Sequence, residues 1–374
     1  MAEKFDGALC IRQRIAGNYR LPFFDLLAER CSGPVVLVSG QSDDGESVKT
    51  KGQLKLAQWV RVKNVRRGSG IFINYQQPEL IEHLNQIKPT VFVSESSPRL
   101  ADTKKVTNHL RKQNIPSLGW GAGTTDYWNK PLKRLRAWYR NRVITKFDGM
   151  LCYGTLAQSQ YQAVGYKPDE TFVLYNATIR RPETSSAPNR AACTKPIKAL
   201  FIGGLIRTKS IDRLVEAAAS LRDDGQPLVV QIVGDGPEAN NLKQLAQRLN
   251  APVEFLGRQT GADLASIAKA SDLFVLPGLG GLAIQEAMSY GLPVIVTEAD
   301  GTELDLVRGN GWITKKDDTR ALADCIRKAI EDPEELRRKG EESFRIVYEE
   351  INLDLMADRF INAANHAKNH FTCR

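Results

Sequence analysis

The residues best suited to chemistry lie in a glycine-rich turn in the second half of the chain. In the segment IGGLIRTKSIDRLVEA (202–217), Gly203 and Gly204 follow an apolar run, and Arg207 and Lys209 come just before a helical pattern. A glycine turn lets the backbone approach a ligand, and cations at the start of a helix suit a diphosphate. The segment therefore indicates a diphosphate site, although an exposed loop with ordinary solvated cations has the same composition.

A second glycine-rich segment, LPGLGGLAIQEAMSYGLPVI (276–295), has a similar organisation. Gly278, Gly280 and Gly281 precede a helix whose first turn would offer free N–H groups to a phosphate. Glu286 lies about one turn into that helix, where its carboxylate could accept hydrogen bonds from both hydroxyls of a ribose. The alternative is a glutamate that only stabilises the positive end of the helix dipole. The density and spacing of the glycines favour phosphate and ribose binding.

Both segments belong to a regular alternation of apolar runs and helical patterns, which predicts an α/β fold with two doubly wound parallel sheets of the Rossmann type. A polar, proline-containing stretch at 180–196 predicts a linker between them, and a cleft lined by the carboxyl ends of the strands. The last helical stretch, at about 334–370, is long enough to run back to the first domain. The predicted strands are 35–40, 71–74, 90–95 and 150–154 in the first half, and 198–204, 228–234, 253–257, 273–278 and 293–298 in the second.

At these motifs the second half resembles the donor-binding domain of GT-B fold glycosyltransferases, in particular retaining family 4. Four motifs follow the family's order and spacing over about residues 198–345. They are the glycine strand end with Gly203, Lys209, Asp212 and Leu214, the VGDGP turn at Val233–Pro237, the FLG strand at Phe255–Gly257, and the EAMxxGxPV segment at Glu286–Val294. The first half is similar to the family more weakly, at 18–29 and 147–178.

The resemblance implies a role for each matched residue. Arg207 and Lys209 would hold the donor diphosphate and act in catalysis, and Glu286 would bind the ribose hydroxyls. The remaining donor contacts would be Gly203 at the strand end, Leu256, Gly257 and Arg258 at the base, Gly280, Gly281 and Leu282 through their backbone at the sugar and phosphate, and Gly17 across the cleft.

Three positions depart from the family pattern. A carboxylate that often grips the donor sugar is replaced by Gly278, and an arginine is replaced by Gly204, where Arg207 could substitute. The loop GWGAGTTDY (119–127) lacks the histidine that often stands there. A glycine loop could hold the sugar through backbone groups, so these departures do not imply loss of activity.

Two residues of the first half are candidates for contacts with the acceptor. Glu95 ends an apolar run and could contact or deprotonate an acceptor hydroxyl, or serve as a loop or capping residue. Arg20 could meet an anionic acceptor or pair with a nearby carboxylate. The sequence leaves both pairs of alternatives open.

The segment WNKPLKRLRAWYRNRVITK (128–146) holds seven Lys and Arg residues and no acid. On a helix, Trp128, Leu132, Leu135, Tyr139 and Val143 share an apolar face, with the cations opposite or beside it. The pattern predicts a helix on an anionic membrane surface, or a core-packed helix with solvated cations outward. The predicted membrane-binding residues are Lys130, Lys133, Arg134, Arg136, Trp138 and Arg140.

The charge distribution supports an anionic partner for the first half. Residues 1–190 carry 29 Lys and Arg against 16 Asp and Glu, and residues 191–374 carry 23 against 27. The six cysteines are scattered and the four histidines form no ligand cluster, so neither a metal nor a disulfide framework is indicated. The chain has no apolar stretch typical of a signal peptide or a membrane span, which favours a cytoplasmic protein.

Together these observations predict a metal-independent retaining hexosyltransferase with a UDP- or GDP-sugar as co-substrate and no other cofactor. Its acceptor would be a saccharide or lipid-linked molecule of polysaccharide or glycolipid assembly, at the inner membrane face. A non-catalytic GT-B protein that binds a nucleotide sugar, or acts as a partner subunit, is the alternative; a nucleic-acid binder would leave the glycine loops without a role. The predicted domains are 1–190 for the acceptor, 191–345 for the donor, and 346–374 as a helix packing back on the first domain.

Overall fold

The computed structural model describes residues 4–41, 52–69, 73–124, 133–188 and 196–371. The chain forms two compact units. Unit 1 comprises Met1–Thr178 and Leu353–Arg374, and unit 2 comprises Ile179–Asn352. Each unit is built around its own parallel sheet.

The strands are β1 (Leu9–Ile15), β2 (Val35–Gly40), β3 (Gln58–Arg61), β4 (Val65–Arg67), β5 (Asn74–Gln76), β6 (Val91–Glu95), β7 (Ser117–Gly121), β8 (Gly149–Cys152), β9 (Thr171–Val173), β10 (Ile197–Ile202), β11 (Leu228–Val233), β12 (Val253–Gly257), β13 (Leu273–Leu276), β14 (Val294–Thr297) and β15 (Gly311–Thr314). The helices are α1 (Leu21–Glu29), α2 (Leu80–Ile87), α3 (Thr103–Lys112), α4 (Lys133–Ile144), α5 (Thr155–Ala163), α6 (Ile211–Asp223), α7 (Ala239–Arg248), α8 (Gly261–Ala270), α9 (Gly281–Ser289), α10 (Thr302–Leu306), α11 (Thr319–Glu331), α12 (Pro333–Glu349) and α13 (Leu353–His370).

The sheet of unit 1 has the strand order β3-β2-β1-β6-β7-β8-β9, and all its strands are parallel. β2, β6 and β8 confirm the strands predicted at 35–40, 90–95 and 150–154. The strand predicted at 71–74 lies partly outside the described residues; β5 begins at Asn74 and pairs antiparallel with β4. The strand order reverses between β1 and β6, and such a reversal is typical of a doubly wound sheet.

The central strand β1 was not predicted, because its sequence LCIRQRI carries polar residues at positions that are buried. The structure compensates this burial with long-range partners. Arg12 is fully buried and donates to Asp102 at 2.5 Å and to the side chain of Gln77 at 2.8 Å. A buried cation is tolerated when a carboxylate and hydrogen bonds satisfy it.

Helix α13 completes the core of unit 1. Phe360 lies on this helix, and its ring centre is 5.5 Å from that of Phe23 and 5.9 Å from that of Trp120. The stretch predicted as helical at 334–370 is therefore two helices, α12 in unit 2 and α13 in unit 1. This confirms a C-terminal helix that belongs to the first half of the molecule.

The sheet of unit 2 has the order β12-β11-β10-β13-β14-β15, again with every strand parallel. β10 to β14 confirm the five predicted strands. β15 was missed, because its sequence GWIT is short and only partly buried. The chain reverses direction across the sheet between β10 and β13, and ligands of such sheets bind beside the carboxyl ends of the strands at this point.

Candidate functional site

The two glycine-rich segments meet at the reversal point of the sheet in unit 2. After β10 the chain makes a 3-10 turn at Arg207–Lys209, and after β13 it runs through Gly278 and Leu279 into α9. The N–H of Leu279 donates to the carbonyl oxygen of Thr208 at 3.0 Å, and the ammonium group of Lys209 donates to the carbonyl oxygen of Leu279. Sequence positions about 70 residues apart therefore form one pair of linked loops.

Lys209 is a mostly buried cation at the centre of these loops. Burial lowers the pKa of its ammonium group, and the negative charge of Asp300 partly opposes that shift. A cation that has already lost much of its water interacts strongly with an anionic ligand. Lys209 is therefore well placed to receive a phosphate.

The start of α9 offers backbone donors beside Lys209. Gly280 precedes this helix with a φ of +156°, no side chain of the described residues caps the helix, and its first turn holds no acidic residue. An added Cβ at Gly280 would collide with the ammonium group of Lys209. The absence of a side chain at Gly280 thus leaves room for the ammonium group of Lys209 close to the start of the helix, and helix N-termini bind anions.

Glu286 lies further along the same helix and is half-buried. Burial raises the pKa of its carboxyl group, and the structure gives this carboxylate no hydrogen-bond or ion-pair partner among the described residues. Burial raises the pKa of Tyr290, and the negative charge of Glu286 adds to that shift. A desolvated carboxylate without a donor is suited to accept hydrogen bonds from a ligand's hydroxyl groups.

The loop after β14 contributes groups that the sequence analysis missed. Asp300 accepts from the N–H and hydroxyl of Thr302, at 3.1 and 2.5 Å, and an added Cβ at Gly281 would lie 2.8 Å from that hydroxyl oxygen. Glu303 is buried and accepts from the N–H groups of Ala299 and Gly301. The sequence VIVTEADGTELD (294–305) could have indicated these residues, since several acidic residues follow an apolar run there.

Arg207 and the end of β12 are more exposed. The Arg207 side chain is 88% exposed, and its guanidinium lies 3.2 Å from the carboxylate of Glu238. Hydrogen bonds from Asn241 and Arg207 lower the pKa of that carboxyl group.

At the end of β12, the carbonyl oxygen of Leu256 accepts a hydrogen bond from the Gln259 side chain at 2.8 Å. The other predicted donor contacts are Gly203, with a φ of +154°, Gly257, with a φ of +68°, exposed Arg258, and half-buried Leu282.

Unit 1 contains a separate pocket of about 340 Å³ at the carboxyl ends of its strands. Glu95 lines it, with its carboxylate accepting from the N–H of Arg14 at 3.1 Å. Arg20 and the first residues of the loop 119–127 also line it, whereas 125–127 lie outside the described residues. Gly17 is buried with ordinary extended backbone, and its carbonyl oxygen accepts from the N–H of Arg20 at 2.9 Å.

The basic segment forms α4, but its faces differ from the prediction. Lys130 lies outside the described residues, and Lys133, Arg134 and Arg136 are placed only as helix positions. Trp138 and Tyr139 are 56% and 46% exposed, whereas Arg140 is half-buried. Tyr139, predicted on the apolar face, is thus exposed, and the described part of the helix buries Ile144.

The potential metal ligands and the cysteines of the described residues are dispersed. No group of three or more His, Cys, Asp or Glu side chains there is arranged to hold a metal ion. Burial raises the pKa of Cys10 and of Cys152 to about 12, as expected of cysteines that act as small core residues. Among the same residues, no helix has the length and apolar character needed to cross a membrane.

Sequence comparison finds relatives for the segment that carries this site. Residues 184–345 match the family Glycosyl transferases group 1. The putative colanic acid biosynthesis glycosyltransferase of Escherichia coli is 28% identical over 194 residues, which are 49% of this chain and 47% of that protein. The alpha-D-kanosaminyltransferase of Streptomyces kanamyceticus is 26% identical over 237 residues, 59% of this chain and 61% of that one. The chain thus spans about half the length of the curated relatives it matches.

Comparison of structures extends the likeness of fold to the whole chain. The lipopolysaccharide outer core galactosyltransferase WaaB, in its apo form, gives a TM-score of 0.69 at 16% identity over 96% of this chain and 99% of that chain. Anabaena HepE in complex with UDP gives 0.70 at 16% identity over 95% and 98%. The GT-B fold expected from the resemblance is therefore confirmed, with two Rossmann-like sheets.

Proposed function

We propose that this chain, which has the GT-B fold and carries a glycosyl transferases group 1 domain, moves a sugar from a nucleotide-sugar donor to a saccharide or lipid-linked acceptor. The observation that carries the proposal is the arrangement at the reversal point of unit 2. There the desolvated ammonium group of Lys209 lies against the glycine turn before α9, and Glu286 presents an unpartnered carboxylate on the same helix. One group suits a diphosphate and the other a ribose.

In this proposal the donor is a UDP- or GDP-sugar. Its diphosphate binds Lys209 and the first N–H groups of α9, and its ribose hydroxyls donate to Glu286. Arg207 is exposed enough to leave Glu238 and add a second cation. These charges stabilise the departing diphosphate and need no metal ion. Structures of Anabaena HepE with UDP and with UDP-glucose support this donor class.

The transfer is proposed to retain the configuration of the sugar. The bond between the anomeric carbon and the diphosphate breaks while a new bond forms to the acceptor oxygen on the same face. The acceptor's proton passes to an oxygen of the departing diphosphate, so no enzymatic nucleophile is required. Glu95 lines the pocket of unit 1 and would bind an acceptor hydroxyl there.

The proposed setting is polysaccharide or glycolipid assembly at the cytoplasmic face of a membrane. The colanic acid relative supports a role in polysaccharide assembly, and a mannosyltransferase of Mycobacterium tuberculosis that acts on a phosphatidylinositol dimannoside, 24% identical over 205 residues, supports a lipid-linked acceptor. Two exposed aromatic side chains, Trp138 and Tyr139, lie on the basic helix α4. We propose that this helix attaches the protein peripherally to anionic lipid.

A non-catalytic nucleotide-sugar binder is the second candidate, because Gly278 replaces a carboxylate that often grips the donor sugar in the resembling family. Hydrolysis of the donor separates the two candidates. A transferase releases free nucleotide slowly from its donor even without acceptor, and a binder releases none.

A thermal-shift screen of UDP-, GDP-, ADP- and dTDP-sugars tests donor binding. A ligand at 100 times its dissociation constant stabilises the folded protein by about 2.7 kcal/mol, so the true donor raises the melting temperature by several degrees. The rise should shrink in Glu286→Gln at the same ligand concentration. If no nucleotide sugar shifts the melting temperature, the proposal is wrong.

A further inference from the structure

Arg20 is a buried cation for which the described structure supplies no counter-ion. It is only 4% exposed, and no carboxylate of the described residues lies within ion-pair distance of it. Its Nη1 atom has no hydrogen-bond partner, and its contact with the Tyr153 hydroxyl is long, at 3.5 Å. Burial raises the pKa of Tyr153, so that hydroxyl stays neutral and does not balance the charge.

The surroundings of Arg20 are aromatic. Its guanidinium carbon lies 4.9 Å from the ring centre of Trp120, 5.4 Å from that of Tyr19 and 5.6 Å from that of Tyr153. Such contacts with ring faces stabilise a cation, but they provide no oxygen atom that could accept hydrogen bonds from its N–H groups. The indole N–H of Trp120 is also buried without a partner. Arg20 and Trp120 therefore each have a buried N–H donor without an acceptor among the described residues.

Arg12 shows how the same unit treats a buried arginine that is purely structural. Its guanidinium is held by Asp102 at 2.5 Å and by Gln77 at 2.8 Å. The Nη1 of Arg12 also lacks a partner, but Arg12 is matched by a carboxylate, whereas Arg20 has none among the described residues. Because an uncompensated buried charge is costly, a site that keeps one is commonly a binding site.

Arg20, Trp120, Tyr19 and Tyr153 all line the 340 Å³ pocket of unit 1, together with Glu95. We infer that the acceptor carries an acidic oxyanion group, a carboxylate or a phosphate, that binds Arg20 in this pocket. This inference rests on the proposed function and names the acceptor class for it. The half-exposed ring of Tyr19 gives the acceptor sugar a stacking surface, and Glu95, held by the N–H of Arg14, takes a hydroxyl of the same molecule.

The test measures acceptor binding without any donor, so that it does not depend on transfer. Ligand-observed NMR titrations compare methyl glucoside, methyl glucuronide, glucose 6-phosphate and inorganic phosphate. We expect at least one acidic sugar to bind tenfold or more tightly than the neutral glucoside, because a hydrogen bond to a charged group is stronger than one to a neutral group. The glucuronide and the phosphate arms distinguish the two sources of the acidic group.

Arg20→Gln should abolish the preference for the acidic sugar, and Arg20→Lys should retain part of it. Arg61→Gln is the matched control, since Arg61 also lies over an aromatic ring of unit 1, at 4.3 Å from Trp59, but is exposed. Equal binding of neutral and acidic sugars by the wild-type protein would overturn the inference, and this comparison holds even if Arg20→Gln does not fold. So would a preference that survives in Arg20→Gln. Failure of the proposed function appears separately, as absence of donor binding in the thermal-shift screen.

Discussion

Gly204 and Gly278 lie on the linked loops of unit 2, yet the space around them differs. A Cβ added at Gly204 would have only one neighbour within 4 Å, the carbonyl oxygen of Asp235 at 3.9 Å. One added at Gly278 would lie 2.5 Å from the carbonyl oxygen of Thr208 and 2.6 Å from the carbonyl carbon of Lys209. The turn that carries Lys209 therefore occupies the space in which the resembling family often has a carboxylate.

The two glycines make a matched pair of alanine substitutions. Gly278→Ala should lower the free energy of unfolding by about 1–3 kcal/mol, because the added methyl forces the lysine turn to move. Gly204→Ala should change it by less than about 0.5 kcal/mol. Denaturant unfolding of both variants measures the difference, and equal effects would show that the loops are not packed as described.

Glu286 should make donor binding sensitive to pH. Its raised pKa means that the folded protein without ligand takes up a proton here at higher pH than the unfolded chain does. At pH values above the raised pKa the charged form therefore costs more free energy in the folded chain than in the unfolded chain, and this destabilisation is relieved as the pH falls through the raised pKa. Ribose hydroxyls need the charged form as acceptor, so the donor competes with that proton.

Calorimetry should show donor affinity falling on acidification, beginning above the usual glutamate range. In Glu286→Gln the affinity should be lower, by about 1–3 kcal/mol for weakened hydrogen bonds to two hydroxyls, and flat across the same pH interval. Glu254→Gln, an exposed glutamate of β12, is the control. A wild-type pH profile that persists in Glu286→Gln would reduce Glu286 to a residue that stabilises its own helix.

At the scale of elements, regular periodicity and local sequence signals were enough to predict most helices and strands of unit 2. Helix α6 (Ile211–Asp223) forms at the helical pattern that follows Lys209, and β10 to β14 lie at the five predicted strands. In unit 1, β1 and β7 were missed, since Arg12 fits a central strand only through partners more than sixty residues away, and SLGWG contains two glycines. The candidate sites show the same limit, because contacts between residues far apart in the sequence could not be predicted from it. Glycine motifs pointed to Lys209 and Glu286. Only the folded chain shows that the charge of Asp300 acts on Lys209, and that Arg20 lies among three aromatic rings without a carboxylate partner in the described residues.

Helix α4 carries the prediction of membrane attachment. Replacing Trp138 and Tyr139 with serine should weaken sedimentation with anionic liposomes, because these exposed rings supply the apolar insertion. Changing Lys133, Arg134 and Arg136 to glutamine should remove the salt-dependent part, at about 1 kcal/mol per cation near an anionic surface. Leu56→Ala, at another exposed apolar residue of unit 1, is the control. Undiminished vesicle binding in both α4 variants would exclude this helix as the attachment site.

At the scale of the whole molecule, the two halves of the chain differ both in net charge and in the candidate site that each contains. The net charge is +9, and the excess of cations lies in residues 1–190, where the pocket with Arg20 is found. The second half is mildly acidic, and Lys209, the cation of its candidate site, lies where the strand order of the parallel sheet reverses. Under the proposed function, the basic half would favour an anionic acceptor and the partly buried Lys209 would favour the donor diphosphate.

Release of nucleotide from the donor identified by the thermal-shift screen tests the central claim most directly. The rate is measured with a saccharide acceptor for the wild-type protein, for Lys209→Ala, and for Lys269→Ala, an exposed lysine of α8 in the same unit. Loss of a cation that stabilises the departing diphosphate should slow release by about 10²–10³, without loss of thermal stability, and Lys269→Ala should match the wild type. Near-normal turnover in Lys209→Ala, or no nucleotide release by the wild-type protein, would contradict the account.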